Sequence, residues 1–344
     1  MHKTIGLTAV AATALIIPTI AEARSQMRAV GSSTVFPFAK AVAERVARAN
    51  PRLGSPVIES TGTGGGFKLF CGGIGARFPD VANASRRIKA SEAKQCASNG
   101  VTQVTEIQVG LDGVAVATDR RTPLAGLTQR DIYMALAKTP YGRPNRAKTW
   151  KDVNPKLPAL PIRVYGPPST SGTRDALTEL LMTPGCETSA GMKAMAKSDA
   201  SRHKAICTAV REDGAYIEAG ENDNLIVQKL SANPGTLGIF GYSFLEENAG
   251  KLKGVAINGV APTYQTISSF RYPGARPLYI YVKNAHAAAI PAIRAFVAEF
   301  TKESAMGPKG YLGAHGLVAA PTAVRARSQQ AARNLAPLNL ASIK

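Results

Sequence analysis

Val164-Tyr165-Gly166-Pro167-Pro168-Ser169-Thr170-Ser171-Gly172-Thr173-Arg174-Asp175-Ala176-Leu177 is the stretch that decides how this chain is read. A β-branched and aromatic run from Ile162 to Tyr165 stops at Pro167-Pro168, because proline neither donates to a strand ladder nor extends it. Small hydroxyl residues and Gly172 follow, and the segment from Arg174 to Leu181 reads as a helix. The first turn of such a helix has backbone N–H groups without intrahelical partners and the positive end of the dipole, so it can receive an anion. Ser171 and Thr173 add hydroxyls, Gly172 permits close backbone approach, and Arg174 offers a fork of donors suited to a tetrahedral oxyanion. An ordinary N-capped helix after a proline turn accounts for one such motif equally well. Recurrence separates the two readings.

The arrangement occurs twice more upstream. The strand-like start of the mature chain (Arg28-Ala29-Val30) runs into Gly31-Ser32-Ser33-Thr34. An amphipathic helix follows from about Phe38 to Ala49, with Phe38, Val42 and Val46 on one stripe, ending before Asn50-Pro51. Pro56–Glu59 is the next strand, and Ser60-Thr61-Gly62-Thr63-Gly64-Gly65-Gly66 stands at the entrance of another helix. A nucleotide P-loop needs Gly-Lys followed by Ser or Thr. Here Lys68 lies between Phe67 and Leu69, which disfavours nucleotide hydrolysis. A short strand then reaches the polar tip Ser85-Arg86, placed to face a ligand, while Arg87 reads as a solvated charge.

Further on, Thr105–Val109 and Gly113–Thr118 read as two strands around Leu111-Asp112, with Asp112 a turn residue. A capped helix spans about 127–137, and Thr236–Tyr242 is a buried strand. Asn258-Gly259 signals a hairpin. Arg276–Val282 is the last strand, followed by helices over 287–300 and 323–335. Alternating strands and helices with short loops predict an α/β fold with parallel sheets, ligands binding beyond the carboxyl ends of the strands.

The 344 residues suit two lobes. The formal charge of +19 suits anionic partners. Nucleic acid is disfavoured because Lys and Arg are scattered, aromatics make up 6%, and no zinc-finger or aromatic RNA-binding signature is present. His2-Lys3, an apolar run from Ile5 to Ile20 and Ala21-Glu22-Ala23 predict a signal peptide over 1–23, hence an exported protein. Four cysteines in such a chain imply disulfides, for which local spacing favours Cys71–Cys96 and Cys186–Cys207. A zinc site is the alternative, weakened by the lack of a C-x-x-C; His203 is the one histidine near cysteines in sequence.

The ordered set Gly-Ser-Ser-Thr-Val-Phe-Pro (31–37), Thr-Gly-Thr-Gly-Gly-Gly-Phe (61–67), Ala-Ser-Arg-Arg-Ile-Lys (84–89), Ser-Gly-Thr-Arg (171–174) and Pro-Gly-Thr-Leu-Gly-Ile-Phe-Gly-Tyr (234–242) resembles the periplasmic phosphate-binding proteins of ABC uptake systems. The resemblance implies a two-lobed Venus-flytrap fold with the ligand cleft between lobes, residues 24–112 and 265–344 forming lobe I and 113–264 lobe II. It implies chain crossings near 110–118 and 258–275. The implied function is a monomeric, non-enzymatic receptor without cofactor or metal that binds inorganic phosphate and delivers it to ABC permease subunits. The implied ligand-binding set is Ser33, Thr34, Val35, Thr63, Ser85, Arg86, Ser171, Gly172, Thr173 and Arg174.

Two departures from the family pattern matter. Many members carry an aspartate in the loop matching Ser85, which accepts a hydrogen bond from protonated phosphate and helps reject sulfate, whereas this loop has Ala84-Ser85-Arg86. Many also carry an arginine where Pro167 stands here. Arg174 or Arg86 is expected to replace that charge, and Asp112 to supply the acceptor if its loop reaches the cleft. Another oxyanion, sulfate above all, is the closest alternative ligand, and a secreted or surface scavenging or adhesion protein the alternative role. A phosphate-ester hydrolase is disfavoured because the four histidines are far apart and no D-x-D or H-x-H pattern stands out.

Overall fold

The computed structural model describes residues 26–220 and 222–343; the expected signal peptide lies outside them. Strands β1 (Arg28–Gly31), β2 (Val57–Ser60) and β3 (Val81–Ala84) pair in parallel, with β1 in the centre. Helix α1 (Phe36–Ala49) follows β1 and α2 (Thr63–Phe70) follows β2, so the first two hydroxyl-rich loops sit at carboxyl ends of strands. Helix α3 (Ala90–Ser98) then leads into β4 (Val104–Asp119).

The second half contains β5 (Gly126–Leu127), β6 (Val164–Gly166), β7 (Tyr216–Glu218), β8 (Leu237–Gly241), β9 (Leu252–Gly254) and β10 (Ala256–Ile257). Here β6 pairs in parallel with β7 and β8, again placing the loop after β6 at a carboxyl edge. Strand β11 (Ala275–Lys283) returns to the first half. Neighbours in the main sheet run β2-β1-β3-β11-β4-β8-β6-β7, and β9 also pairs with β4. The all-parallel expectation needs correcting. Each half has a parallel core, but β4 and β11 run antiparallel to their neighbours and to each other.

Leu111-Asp112 is not a turn. Residues 104–119 form one continuous strand, its first part paired with β11 and its last part with β8. Successive parts of one strand thereby feed two cores. Ile107 and Val109 pack with Phe38, Val42, Ile293 and Phe296, whereas Leu111 and Val114 pack with Leu177, Ile226, Leu237 and Phe240. Strand β11 makes the reverse passage: Ala275 belongs to the second core and Leu278 to the first. This return falls later than the 258–275 stretch expected, because Ile267 and Tyr272 still pack in the second core, and the Tyr272 hydroxyl donates to the Val114 carbonyl at 2.8 Å.

Local signals account for the smaller features. Thr128 caps the helix Gln129–Leu136 through a reciprocal bond with Asp131. Asn258 and Gly259 both have positive φ (50° and 79°), the conformation an Asn-Gly turn supplies. The helix expected over 287–300 is split into Asn284–Ala287 and Pro291–Phe300, since proline begins a helix more readily than it continues one. Disulfides Cys71–Cys96 and Cys186–Cys207 form as local spacing suggested, all four cysteines being buried.

Candidate functional site

Three of the hydroxyl loops meet where the two halves of the sheet face each other. Gly31 has φ 132°, and a Cβ there would lie 2.1 Å from the Asn83 carbonyl oxygen, so only glycine lets the chain leave β1 at this angle. The turn delivers Thr34, fully buried, to face Thr173, with the two hydroxyl oxygens 3.1 Å apart. At the start of α2, the Thr63 hydroxyl lies 3.2 Å from the Ser85 hydroxyl and accepts from the Ser85 backbone N–H at the same distance. Opposite them is Gly172. A Cβ there would come within 2.3 Å of Thr63 Oγ1 and 2.4 Å of Ser85 Oγ, so backbone of the second half packs directly on hydroxyls of the first. Ser171 caps its own helix, its hydroxyl accepting from Thr173 N–H at 3.1 Å. The Gly64 N–H donates across the junction to the Thr170 carbonyl at 3.2 Å.

At the centre of these loops lies a buried ion pair that spans the two crossing strands. Asp112 on β4 and Arg276 on β11 stand directly opposite each other in the antiparallel register. Arg276 Nε and Nη2 donate to Asp112 Oδ2 at 3.1 and 2.9 Å, and both side chains are nearly inaccessible. The same guanidinium donates to the Gly172 carbonyl at 2.9 Å and to the hydroxyls of Thr34 and Thr173 at 3.0 Å each. One arginine therefore touches both hydroxyl walls. Asp112 Oδ1 accepts from the Tyr242 N–H at 2.8 Å. Burial pushes the Asp112 carboxyl above the usual carboxylate range, opposed by Arg276 and by the backbone N–H groups of Tyr242 and Gly113.

Both arginines expected at the ligand are committed elsewhere. Arg86 donates to Asp175 at 2.6 Å and, through two nitrogens, to both oxygens of Glu92 at 2.7 and 2.8 Å. Burial disfavours its charge, but Glu92 and Asp175 outweigh that and raise its pKa. It is a bridge across the junction, joined by Lys89 to Asp175 at 3.0 Å. Arg174 turns back on its own half, donating to the Pro167 carbonyl at 3.2 Å and lying 4.3 Å over the Tyr216 ring. Val35 puts its side chain in the first core, leaving only its backbone for a ligand.

In the sequence, Arg276 is only the first residue of a strand. The available signal was a cation opening an otherwise apolar segment, and nothing local distinguishes that from an exposed strand end. What Asp112 and Arg276 share is a register position, which only pairing of β4 with β11 creates.

The first half carries further polar groups with no protein partner. The hydroxyls of Ser33, Ser60 and Thr61 and both side-chain atoms of Asn83 are buried without a hydrogen-bond partner. All lie at or just beyond the carboxyl ends of β1, β2 and β3. Buried polar groups are normally satisfied, so this carboxyl edge is the candidate place for a polar ligand or water.

A family model described as a PBP superfamily domain matches residues 18–304. The protein SphX of Synechococcus elongatus is 36% identical over 299 residues, covering 85% of this chain and 77% of that protein. The phosphate-binding protein PstS of Staphylococcus saprophyticus is 33% identical over 262 residues, covering 74% of this chain and 69% of that one. A crystal structure from Planctomyces limnophilus, described as that of a possible phosphate binding protein, aligns with a TM-score of 0.59 at 30% identity, covering 90% of this chain and 98% of that one. Ordered loops, strand order and these likenesses agree: this chain belongs to the PBP superfamily, in the family of SphX and the phosphate-binding protein PstS.

Proposed function

We propose that the chain is a receptor for inorganic phosphate that captures the anion between its lobes and hands it to an ABC permease. The observation that carries this reading is the buried Asp112–Arg276 pair set among the hydroxyls of Thr34, Thr63, Ser85 and Thr173. Arg276 provides the charge that family members place where Pro167 stands, and Asp112 the carboxylate they place beside Ser85. Phosphate at neutral pH keeps a proton with which it donates a hydrogen bond to a carboxylate, whereas sulfate has none to offer. The hydroxyls of Thr34, Thr63, Ser85, Ser171 and Thr173 and the Gly172 N–H serve the remaining oxygens, with Ser33 and the Val35 N–H at the rim.

Because the pair sits where β4 and β11 cross between lobes, a ligand engaging it bears directly on the strands that flex during closure. Crossings at Asp112 and Arg276 put lobe I at 24–112 and 276–344 in this reading. The positive surface raises the local anion concentration near the cleft, an effect that salt screens. Among the described residues, no helix is long and apolar enough to cross a membrane. In this reading the receptor is exported to the periplasm and acts as a monomer, without catalysis. Calorimetric titration of refolded, ligand-free protein with phosphate and sulfate tests the reading. Phosphate binding with sulfate silent supports it, and equal binding of both turns it into a general oxyanion receptor.

A further inference from the structure

Among the described residues, one group of His, Cys, Asp and Glu side chains converges closely enough to hold a metal ion. It consists of Cys186, His203 and Cys207, whose ligand atoms lie within 4.8 Å of one another. His203 and Cys207 stand four apart on the helix Ala200–Thr208, so both side chains leave the same face. Cys186 ends the helix Thr183–Cys186, and its disulfide to Cys207 joins the two helices. Both cysteines are fully buried, and His203 is 8% exposed.

His203 lacks the partner that a buried imidazole normally has. Its Nε2 is buried without a hydrogen bond. Glu187 Oε1 stands 3.2 Å from it, outside hydrogen-bond alignment. Two ligands on one tetrahedral zinc are spaced in this way, since bonds of about 2.0–2.1 Å put their ends roughly 3.3 Å apart. The Cα atoms of Cys186 and Cys207 are 5.5 Å apart, so with the S–S bond open both sulfurs stay within reach of one ion. Two thiolates, an imidazole and a carboxylate make a four-ligand set whose chemistry suits Zn²⁺.

We propose that Cys186, Glu187, His203 and Cys207 form a zinc site in the reduced chain, so that metal and disulfide are alternative states of one cluster. A dithiol opens the pair by thiol–disulfide exchange. Its own sulfurs become joined, and Cys186 and Cys207 take up two electrons and two protons. Zn²⁺ then displaces one proton from each thiol. Exchange with an oxidising disulfide, which leaves as two thiols, re-forms the bond and releases the ion. The helical run that starts at Gly172, beside the hydroxyl loops, ends at Cys186. Either state therefore ties the far end of that run to the helix Ala200–Thr208.

The test reduces the full chain under native conditions with a phosphine, in place of a zinc-binding dithiol, and follows thermal unfolding with and without Zn²⁺. Zinc should raise the melting temperature of the reduced protein and leave that of the oxidised protein unchanged. Alkylation rates, read by mass spectrometry of tryptic peptides, should fall with zinc at Cys186 and Cys207 and stay unchanged at Cys71 and Cys96. His203→Ala and the partly exposed Glu187→Gln keep all four cysteines, and each should weaken zinc binding by about tenfold or more in competition with a colorimetric chelator. A reduced protein whose melting temperature ignores zinc overturns the proposal, as does equal protection of both cysteine pairs. Either variant binding zinc within about twofold of the native chain overturns the four-ligand site.

Discussion

Replacing Asp112 by asparagine tests whether this carboxylate selects phosphate over sulfate. The substitution preserves shape and leaves an oxygen able to accept from Tyr242 N–H, but turns an amide N–H₂ or a neutral carbonyl toward Arg276. Two effects then oppose each other. A protonated phosphate loses a charged acceptor, a loss of about 1.5–3 kcal/mol, or roughly ten- to a hundredfold in affinity. Arg276, at the same time, is left buried without its counter-charge, a situation that destabilises a protein by about 3–5 kcal/mol. Any dianion entering the site relieves part of that penalty. Phosphate therefore loses one term and gains another, whereas sulfate only gains. The ratio of the two affinities isolates the acceptor. It should fall by about ten- to a hundredfold in Asp112→Asn, and the melting temperature without ligand should drop while recovering more with sulfate than in the native protein. Calorimetry with both anions and thermal unfolding with and without each provide the readouts. A variant that stays folded and keeps its phosphate-to-sulfate ratio within about threefold of native would refute the assignment of Asp112 as the selecting group.

Other perturbations separate the arginines. Arg276→Met should abolish measurable phosphate binding and destabilise the fold, whereas Arg174→Ala, which removes contacts to Pro167 and Tyr216, should change phosphate affinity by less than about threefold; comparable losses in both would put Arg174 back in the site. Gly172→Ala places a methyl against Thr63 and Ser85, so small-angle scattering should show a chain that folds but fails to compact on adding phosphate. Asp175→Asn weakens the Arg86 bridge and should raise the phosphate dissociation rate about tenfold in stopped-flow experiments, with little change in association. Removing Cys71–Cys96 by a double serine substitution opens a loop of sequence separation 25 and should cost about 3.5 kcal/mol on the chain-entropy account, read by denaturant unfolding.

The sequence by itself determined the elements that depend on local chemistry. Three hydroxyl-rich turns after short strands, the prolines at 167 and 168, and the alternation of strand and helix announced an α/β chain and pointed to a carboxyl edge as the place for an anion. The turns carrying Ser33, Thr34, Thr63, Ser85, Gly172 and Thr173 were legible because caps and glycine turns act within a few residues, and the fold brings Thr34 to Thr173 and Thr63 and Ser85 to Gly172. The tertiary structure decided which charges lie among those hydroxyls. Arg86 and Arg174 sit beside the right loops in sequence, yet a guanidinium on a flexible stem goes to the carboxylate or carbonyl nearest in space, and Glu92, Asp175 and Pro167 claim them. Asp112 looked like a turn because its two flanking runs were read separately, when a single strand carries both. Its partnership with Arg276, 164 residues away, exists only because β4 and β11 cross between the cores at the same level and in opposite directions. Burial there makes an unpaired charge prohibitive, so the crossing strands supply both signs at once.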